Sequence, residues 1–237
     1  MVSIKDRLDG KDWISAGENL THNGYSVVEN VLTPSECEQS IARYNEEDLY
    51  RKTIVMERYR FGSGEYKYFK YPLPQLITAI RETVYAYLAP VANRWMKALQ
   101  IDKEYPSTHD AFKQICYDHG QDKPTVLILK YGENGFNTLH QDLYGEVWFP
   151  FQLVLLLNEP GEDYTGGEFV LTESVPRAQS RASVIQPKKG DMLLFTTNFR
   201  PVKGSKGYYR ATVKHGVSPV HSGNRHTLGI IFHDALS

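Results

Sequence analysis

The chain has 237 residues, enough for one sizeable core and too few for two comfortable domains. Hydrophobic residues at 41% and charged residues at 23% are the proportions of an ordinary folded protein, and a net charge of −1 gives no overall pull toward nucleic acid or acidic lipid, although a local basic surface stays open. Two cysteines, Cys37 and Cys116, exclude a disulfide framework; no run approaches the roughly 20 apolar residues of a membrane span; and the start Met1–Arg7 lacks an apolar leader core, so a soluble cytoplasmic protein is the expectation.

In chain order, Tyr25 to Val31 alternates as a strand, entered through Asn23-Gly24. Thr33-Pro34-Ser35-Glu36 has both parts of a capping box with proline at the first helical position, which predicts a helix to about Tyr44. Residues 51–71 hold short β-like stretches around a Gly62-Ser63-Gly64 turn, ending in the aromatic and basic run Tyr66-Lys67-Tyr68-Phe69-Lys70-Tyr71. Two helices are expected next, Pro74–Leu88 with Ile77, Ile80, Val84 and Leu88 on one face, and Pro90–Leu99 with Val91 and Trp95. A third runs from Ser107 to His119 and is closed by Gly120. From Pro124 the pattern changes to short strands between Gly, Pro, Asn and Asp turns, and the continuous apolar run Phe151–Leu157 suits a strand covered on both faces. The expected fold is mainly β with supporting α-helices, a sandwich or jelly roll whose helices pack outside one sheet. One domain is expected over 1–237, with 1–123 as helical support and 124–237 as the β core.

The chemistry is carried by His140-Gln141-Asp142, by His215 lying 73 positions beyond Asp142, and by Arg225 ten further on. Two imidazoles and a carboxylate in a facial arrangement leave positions open on a non-haem Fe(II) that must also bind O2 and a bidentate cosubstrate. An H-x-D pair on a strand puts both ligands on one face. Arg225 offers the planar fork that a dicarboxylate's distal end needs, and Thr227, two residues on, shares its face while His226 points the other way.

These stretches together resemble the 2-oxoglutarate/Fe(II)-dependent dioxygenases over residues 124–234. The matching runs are Leu127–Gly132 leading into His140-Gln141-Asp142, then Thr165–Phe169, Lys189–Phe195, His215–Val220 and Gly223-Asn224-Arg225. The proximal half is similar to the oxidative nucleic-acid demethylases. The Gly-Gly-Glu turn, the Lys-Gly-Asp hairpin and the ten-residue spacing resemble the prolyl-4-hydroxylase-type branch, which often has Lys where this chain has Arg225. The resemblance implies a double-stranded β-helix (jelly roll), Fe(II) on His140, Asp142 and His215, 2-oxoglutarate on Arg225, O2 as oxidant, and ascorbate to rescue oxidised iron; Tyr131, nine residues before His140, and Thr227 are candidates to hold the same carboxylate, with packing at a strand end and an ordinary strand position as their plain readings.

Other features have blander readings. Cys116 and His119 have a zinc-like spacing without a second pair, so a helix end is expected there. Gly166-Gly167 is expected to form a tight turn, and the basic loop Arg200–Arg210 a solvated hairpin. The run 66–71 could line the site's mouth or act as a stacking platform for single-stranded nucleic acid. Three functions stay in view: a hydroxylase of a small molecule or protein side chain, a demethylase of alkylated nucleic acid, and a non-catalytic metal-binding jelly roll.

Overall fold

The computed structural model describes residues 2–175 and 179–237. The first half holds α1 (Ile4–Asp9), α2 (Trp13–Asn23), β1 (Tyr25–Val28), α3 (Pro34–Ala42), β2 (Tyr50–Val55), β3 (Gly62–Ser63), β4 (Glu65–Phe69), α4 (Gln75–Ala98) and α5 (His109–Asp118). The second half is strands: β5 (Leu127–Tyr131), β6 (Phe136–His140), β7 (Phe151–Leu156), β8 (Tyr164–Gly166), β9 (Phe169–Ser174), β10 (Arg181–Ile185), β11 (Met192–Thr196), β12 (Phe199–Gly204), β13 (Gly207–Val217), β14 (Val220–Gly223) and β15 (Arg225–Ile231).

The strands form a major sheet in the order β1-β11-β7-β15-β5-β4-β2 and a minor sheet in the order β10-β9-β13-β6-β3, with β12 also paired to β13. Both are antiparallel throughout and enclose a jelly-roll interior. Period-two alternation divides each major-sheet strand between two environments. On β15, Leu228 and Ile230 join the core built with α4, while Thr227, Gly229 and Ile231 face the space between the sheets. Phe151–Leu156 is buried on both faces, as its unbroken apolar run required. Phe169, Leu171 and Val213 of the minor sheet meet Leu193 and Phe195 of the major one in a second core.

The helices cover the outer face of the major sheet. The capping box at Thr33 and Glu36 is present, with Pro34 opening the helix. The two helices expected on either side of Pro90 are one, Gln75–Ala98. Proline removes a single hydrogen bond, whereas Ile80, Val84, Leu88, Val91 and Trp95 keep one continuous buried stripe across it, and that shared burial outweighs the break. The pair α1 and α2 was not anticipated, although Asp12 caps α2 and Gly24 ends it at φ +81°. The first half is also less purely helical than expected, since β1 to β4 enter the two sheets. In place of a turn at 62–64, Gly62 and Ser63 pair with Asn137 and Phe136, and a Cβ on Gly62 would lie 2.2 Å from the Phe136 carbonyl.

Among the described residues no helix is long and apolar enough to cross a membrane. Cys37 and Cys116 are free and buried, and the Cys116–His119 segment is the end of α5, as the plain reading had it. Arg200, expected in a solvated hairpin, is buried and paired with Glu173.

His226 faces the helical side of β15, where its ring meets Tyr44 edge-on and Nδ1 donates to Asn158 Oδ1 at 3.0 Å. Burial, and then the charge of its cross-strand neighbour Lys130, push its pKa down to about 4. Below its ordinary pKa of about 6.5 the unfolded chain takes up a proton that the folded chain refuses until about pH 4. Stability present above pH 6.5 is therefore lost as pH falls through that window, by up to about 3 kcal/mol. Urea titrations from pH 7 to 4 should show a visibly flatter decline for His226→Gln; an unchanged slope would assign the acid sensitivity elsewhere.

Candidate active site

Between the sheets lies a cavity of about 250 Å³ lined by residues of β4, β5, β6, β7, β9, β11, β13 and β15. Its minor-sheet wall carries the histidines. His215 and His140 are direct cross-strand partners on β13 and β6, so the ladder sets the two imidazoles side by side with ring centroids 4.2 Å apart. Asp142 departs from the expected geometry: β6 ends at His140, and the carboxylate reaches the histidines from the irregular segment beyond it. Gln141 ties that segment down by donating from Nε2 to the carbonyls of Asn198 and Val213, each at 2.8 Å.

The three side chains each offer one ligand atom, all within 4.8 Å of one another. Asp142 Oδ2 lies 3.2 Å from His215 Nε2, and Oδ1 lies 3.5 Å from His140 Nε2. His140 donates from Nδ1 to the Thr138 carbonyl at 2.8 Å, which leaves the Nε2 lone pair for a metal. His215 Nδ1 is buried without a partner. Burial works against the charged forms here, yet His140 and His215 hold the Asp142 carboxyl well below the usual carboxylate range. Burial likewise opposes the His140 imidazolium, and the Asp142 carboxylate wins and raises its pKa. His215 is lowered by burial and then by His140. The result is an ionised carboxylate beside two imidazoles, a donor set that fits a divalent first-row cation.

The opposite wall carries Arg225, Tyr131 and Thr227. Arg225 is 2% exposed, its Nε has no partner, and among the described residues it has no carboxylate within ion-pair distance. Its cross-strand neighbour on β5 is Tyr131, whose ring lies 5.6 Å from the guanidinium carbon and whose buried hydroxyl is also without a partner. Thr227 lies on the same face two residues along and lines the cavity. Arg225 and Thr227 thus share a face as their spacing indicated, and the ladder sets Tyr131 beside Arg225. In place of the expected tight turn, Gly166 ends β8 opposite Val220 and Gly167 begins the link to β9, at φ +71° and +64°, and Gly167 does more than link the strands. A Cβ there would sit 2.9 Å from Arg225 Cδ, so glycine leaves room for the arginine stem.

Three side chains escaped the sequence reading. Tyr144 donates to Asp142 Oδ1 at 2.8 Å, and Tyr68 donates to the Tyr144 hydroxyl at 3.1 Å. Gln152, the one polar residue in an apolar run, lines the cavity between its cross-strand neighbours Phe195 and Ile231 with Nε2 unpaired. That lone amide inside an apolar strand was the signal available for it. A buried, unsatisfied amide costs about 1–3 kcal/mol, so Gln152→Leu should stabilise the ligand-free protein by about 1 kcal/mol in urea denaturation; a loss of that size would mean that the amide is paired.

The run 66–71 divides its roles by face. Tyr66 and Tyr68 line the cavity. Lys67 is buried and points away to an ion pair with the exposed Glu47 at 2.7 Å, its ammonium 4.7 Å from the Tyr44 ring centre. The run is therefore a cavity wall, and its mixed aromatic and cationic platform does not form. The exposed aromatics at the rim are instead Tyr59 and Phe61, stacked at 5.5 Å, next to the exposed Arg58 and Arg60.

Comparison with known proteins agrees with this geometry. The profile of the Oxygenase-NA family, described as "Oxygenase, catalysing oxidative methylation of damaged DNA", matches residues 64–235. An uncharacterized protein of Mycobacterium tuberculosis, found in two strains, is 45% identical over 167 residues, covering 70% of this chain and 72% of that one. Among solved structures, a Pseudomonas putida prolyl-4-hydroxylase superposes with a TM-score of 0.52 at 15% identity, over 92% of this chain and 96% of that one. A 2OG-Fe(II) oxygenase family oxidoreductase from Burkholderia pseudomallei gives 0.55 at 13%, over 94% and 93%. A Trichoplax adhaerens prolyl hydroxylase, in complex with a hypoxia inducible factor peptide fragment, gives 0.55 at 15%, over 97% and 90%.

Proposed function

The chain belongs to the Oxygenase-NA family and has the fold of the 2-oxoglutarate/Fe(II) oxygenases, and we propose that it hydroxylates a C–H bond of a small molecule or a protein side chain. The observation that carries the reading is Arg225, a buried cation without a carboxylate partner, on the wall of the cavity whose other wall bears the His140, Asp142 and His215 cluster. An unpaired buried charge is costly, and a carboxylate ligand removes that cost. His140, Asp142 and His215 hold Fe(II). Arg225 forks the distal carboxylate of 2-oxoglutarate, with the Tyr131 and Thr227 hydroxyls as further donors. Held by these residues, iron and 2-oxoglutarate would supply with O2 the oxidising chemistry, in which the cosubstrate would be converted to succinate and CO2.

The protein's own part is placement and exclusion of water. His140 is fixed in one tautomer by the Thr138 carbonyl, and Phe169 and Phe195 pack on His215 at 5.7 and 4.8 Å, which limits its rotation. The apolar lining from Leu129, Val154, Phe195 and Val217 keeps the reacting region dry. One domain carries both walls, and ascorbate serves to return oxidised iron to Fe(II). Purified protein supplied with Fe(II), O2 and 2-oxoglutarate should form succinate without added substrate; no succinate above a metal-free blank would sink the reading.

A second reading, oxidation of an alkylated nucleic-acid base, is favoured by the stacked, exposed Tyr59 and Phe61, which alternate with Arg58 and Arg60 at the cavity's rim. It also accords with the family description. Binding of methylated single-stranded oligonucleotide that weakens at least tenfold in Tyr59→Ala with Phe61→Ala, together with loss of the methyl mark under turnover conditions, would promote it over the first.

A further inference from the structure

The Asp142 carboxylate is held by side chains that metal binding itself does not require. Because β6 stops at His140, no ladder hydrogen bond fixes the backbone of Asp142, and its orientation depends on contacts farther out. Tyr144, two residues on, donates its hydroxyl to Oδ1 at 2.8 Å. The Tyr144 hydroxyl in turn accepts from the Tyr68 hydroxyl at 3.1 Å, and the two rings meet edge-on with centroids 6.4 Å apart. Tyr68 is buried on β4 and covered by the Arg51 guanidinium, 4.7 Å above its ring. Both oxygens of Asp142 face the histidines, Oδ2 at 3.2 Å from His215 Nε2 and Oδ1 at 3.5 Å from His140 Nε2, but only Oδ1 is engaged by a phenol.

A charge-assisted O–H···O⁻ bond of this length occupies the lone pair that points along it. We propose that Tyr144 is a positioning residue that reserves Asp142 Oδ1, so that the carboxylate offers a metal one oxygen, Oδ2, and that Tyr68 anchors this restraint to the major sheet. The inference rests on the reading of His140, Asp142 and His215 as metal ligands. Its consequence is coordinative. A carboxylate free to bind through both oxygens would fill one of the positions that a bidentate cosubstrate and O2 need, and a phenol held on Oδ1 disfavours this by weakening that oxygen as a donor. It also gives the aromatic run 66–71 a purpose, since Tyr68 is its contribution to the site from the first half of the chain.

The test uses metal-free full-length protein titrated with Co(II), without cosubstrate, following the visible absorption of the bound ion. Tyr144→Phe removes one oxygen and is expected to weaken Co(II) binding by about 10- to 100-fold, the usual effect of losing an outer-sphere partner. Its d–d bands should also lose intensity as Asp142 closes to two-oxygen coordination. Tyr68→Phe should give a smaller loss in the same direction, and both variants should keep the wild-type far-ultraviolet dichroism. A purely structural role would lower the melting temperature and leave affinity and spectrum alone; that result, or wild-type affinity in Tyr144→Phe, overturns the proposal. His140→Ala separates the two levels: if it binds Co(II) like wild type, the ligand assignment itself fails.

Discussion

Alanine at His140, Asp142 or His215 is each expected to abolish Fe(II)-dependent succinate formation while leaving a folded protein. Among the described residues these three form the one cluster of His, Cys, Asp or Glu donors able to hold a metal, and two cannot fix an ion that must keep three positions open. The loss should therefore exceed the about 10- to 100-fold typical of a partner one shell out. Folding should survive for a different reason in each case. His140 stands at a strand end and is partly exposed. His215 leaves its Nδ1 without a partner already, so its removal strands no hydrogen-bonding group there. Asp142→Ala deprives Tyr144 of its acceptor and should cost about 1–3 kcal/mol, a tolerable loss for a domain of this size. Succinate can be quantified by mass spectrometry alongside dichroism of each variant. Near wild-type turnover in any one of them would remove that residue from the ligand set.

What the sequence made legible was whatever local periodicity or spacing can encode. The capping box at Thr33, the doubly covered strand at Phe151 and the pairing of Arg225 with Thr227 on one face all follow from repeat lengths of 3.6 or 2. His140, Asp142 and His215 were legible as a pattern, but the route by which Asp142 arrives was not, because a strand's end depends on where its partner's hydrogen bonds stop. The same limit hid Tyr144 and Tyr68. Their contact spans 76 positions, and nothing in either neighbourhood marks it. Lys67 was misread as mouth-lining because alternation states that two faces differ without saying which is buried against Glu47. Pro90 misled in the opposite direction, a local breaker overruled by packing along the whole of α4.

Substrate choice was illegible for a more basic reason. The solved structures that superpose on this chain include prolyl hydroxylases, whereas the matching family profile is described by damaged DNA. These do not conflict, because the shared part is the two-sheet frame, and a fold does not fix a substrate. The rim here includes the short 3-10 turn Met56–Tyr59 and the strand β3 after it, which bring Tyr59 and Phe61 to the cavity's edge. Sequence outside the recognisable motifs decides that surface.

Arg225→Ala is expected to raise the 2-oxoglutarate concentration needed for half-maximal succinate formation by about 10- to 150-fold, the equivalent of the about 1.5–3 kcal/mol that a charge-assisted contact contributes. Metal binding should be almost unaffected, since Arg225 stands on the major sheet and the three metal-site residues lie on or beside the minor sheet. Ligand-free stability should also change little. The guanidinium has no carboxylate among the described residues to leave stranded, and removing a buried, unpaired charge relieves a desolvation cost that offsets the lost packing on Tyr131 and Tyr164. Arg225→Lys should recover only part of the loss, because an ammonium restores the charge but not the planar fork. Gly167→Ala offers an independent approach to the same group. Its new Cβ would press on the Arg225 stem from 2.9 Å and on Val220 from 3.0 Å, so the guanidinium should shift while its charge remains, and 2-oxoglutarate binding should weaken with iron binding unchanged. Isothermal titration of each variant with metal and then with cosubstrate tells the outcomes apart. If Arg225→Ala loses both ligands equally, or unfolds without either, the arginine is a structural pillar of the cavity and the cosubstrate's distal carboxylate must be held elsewhere.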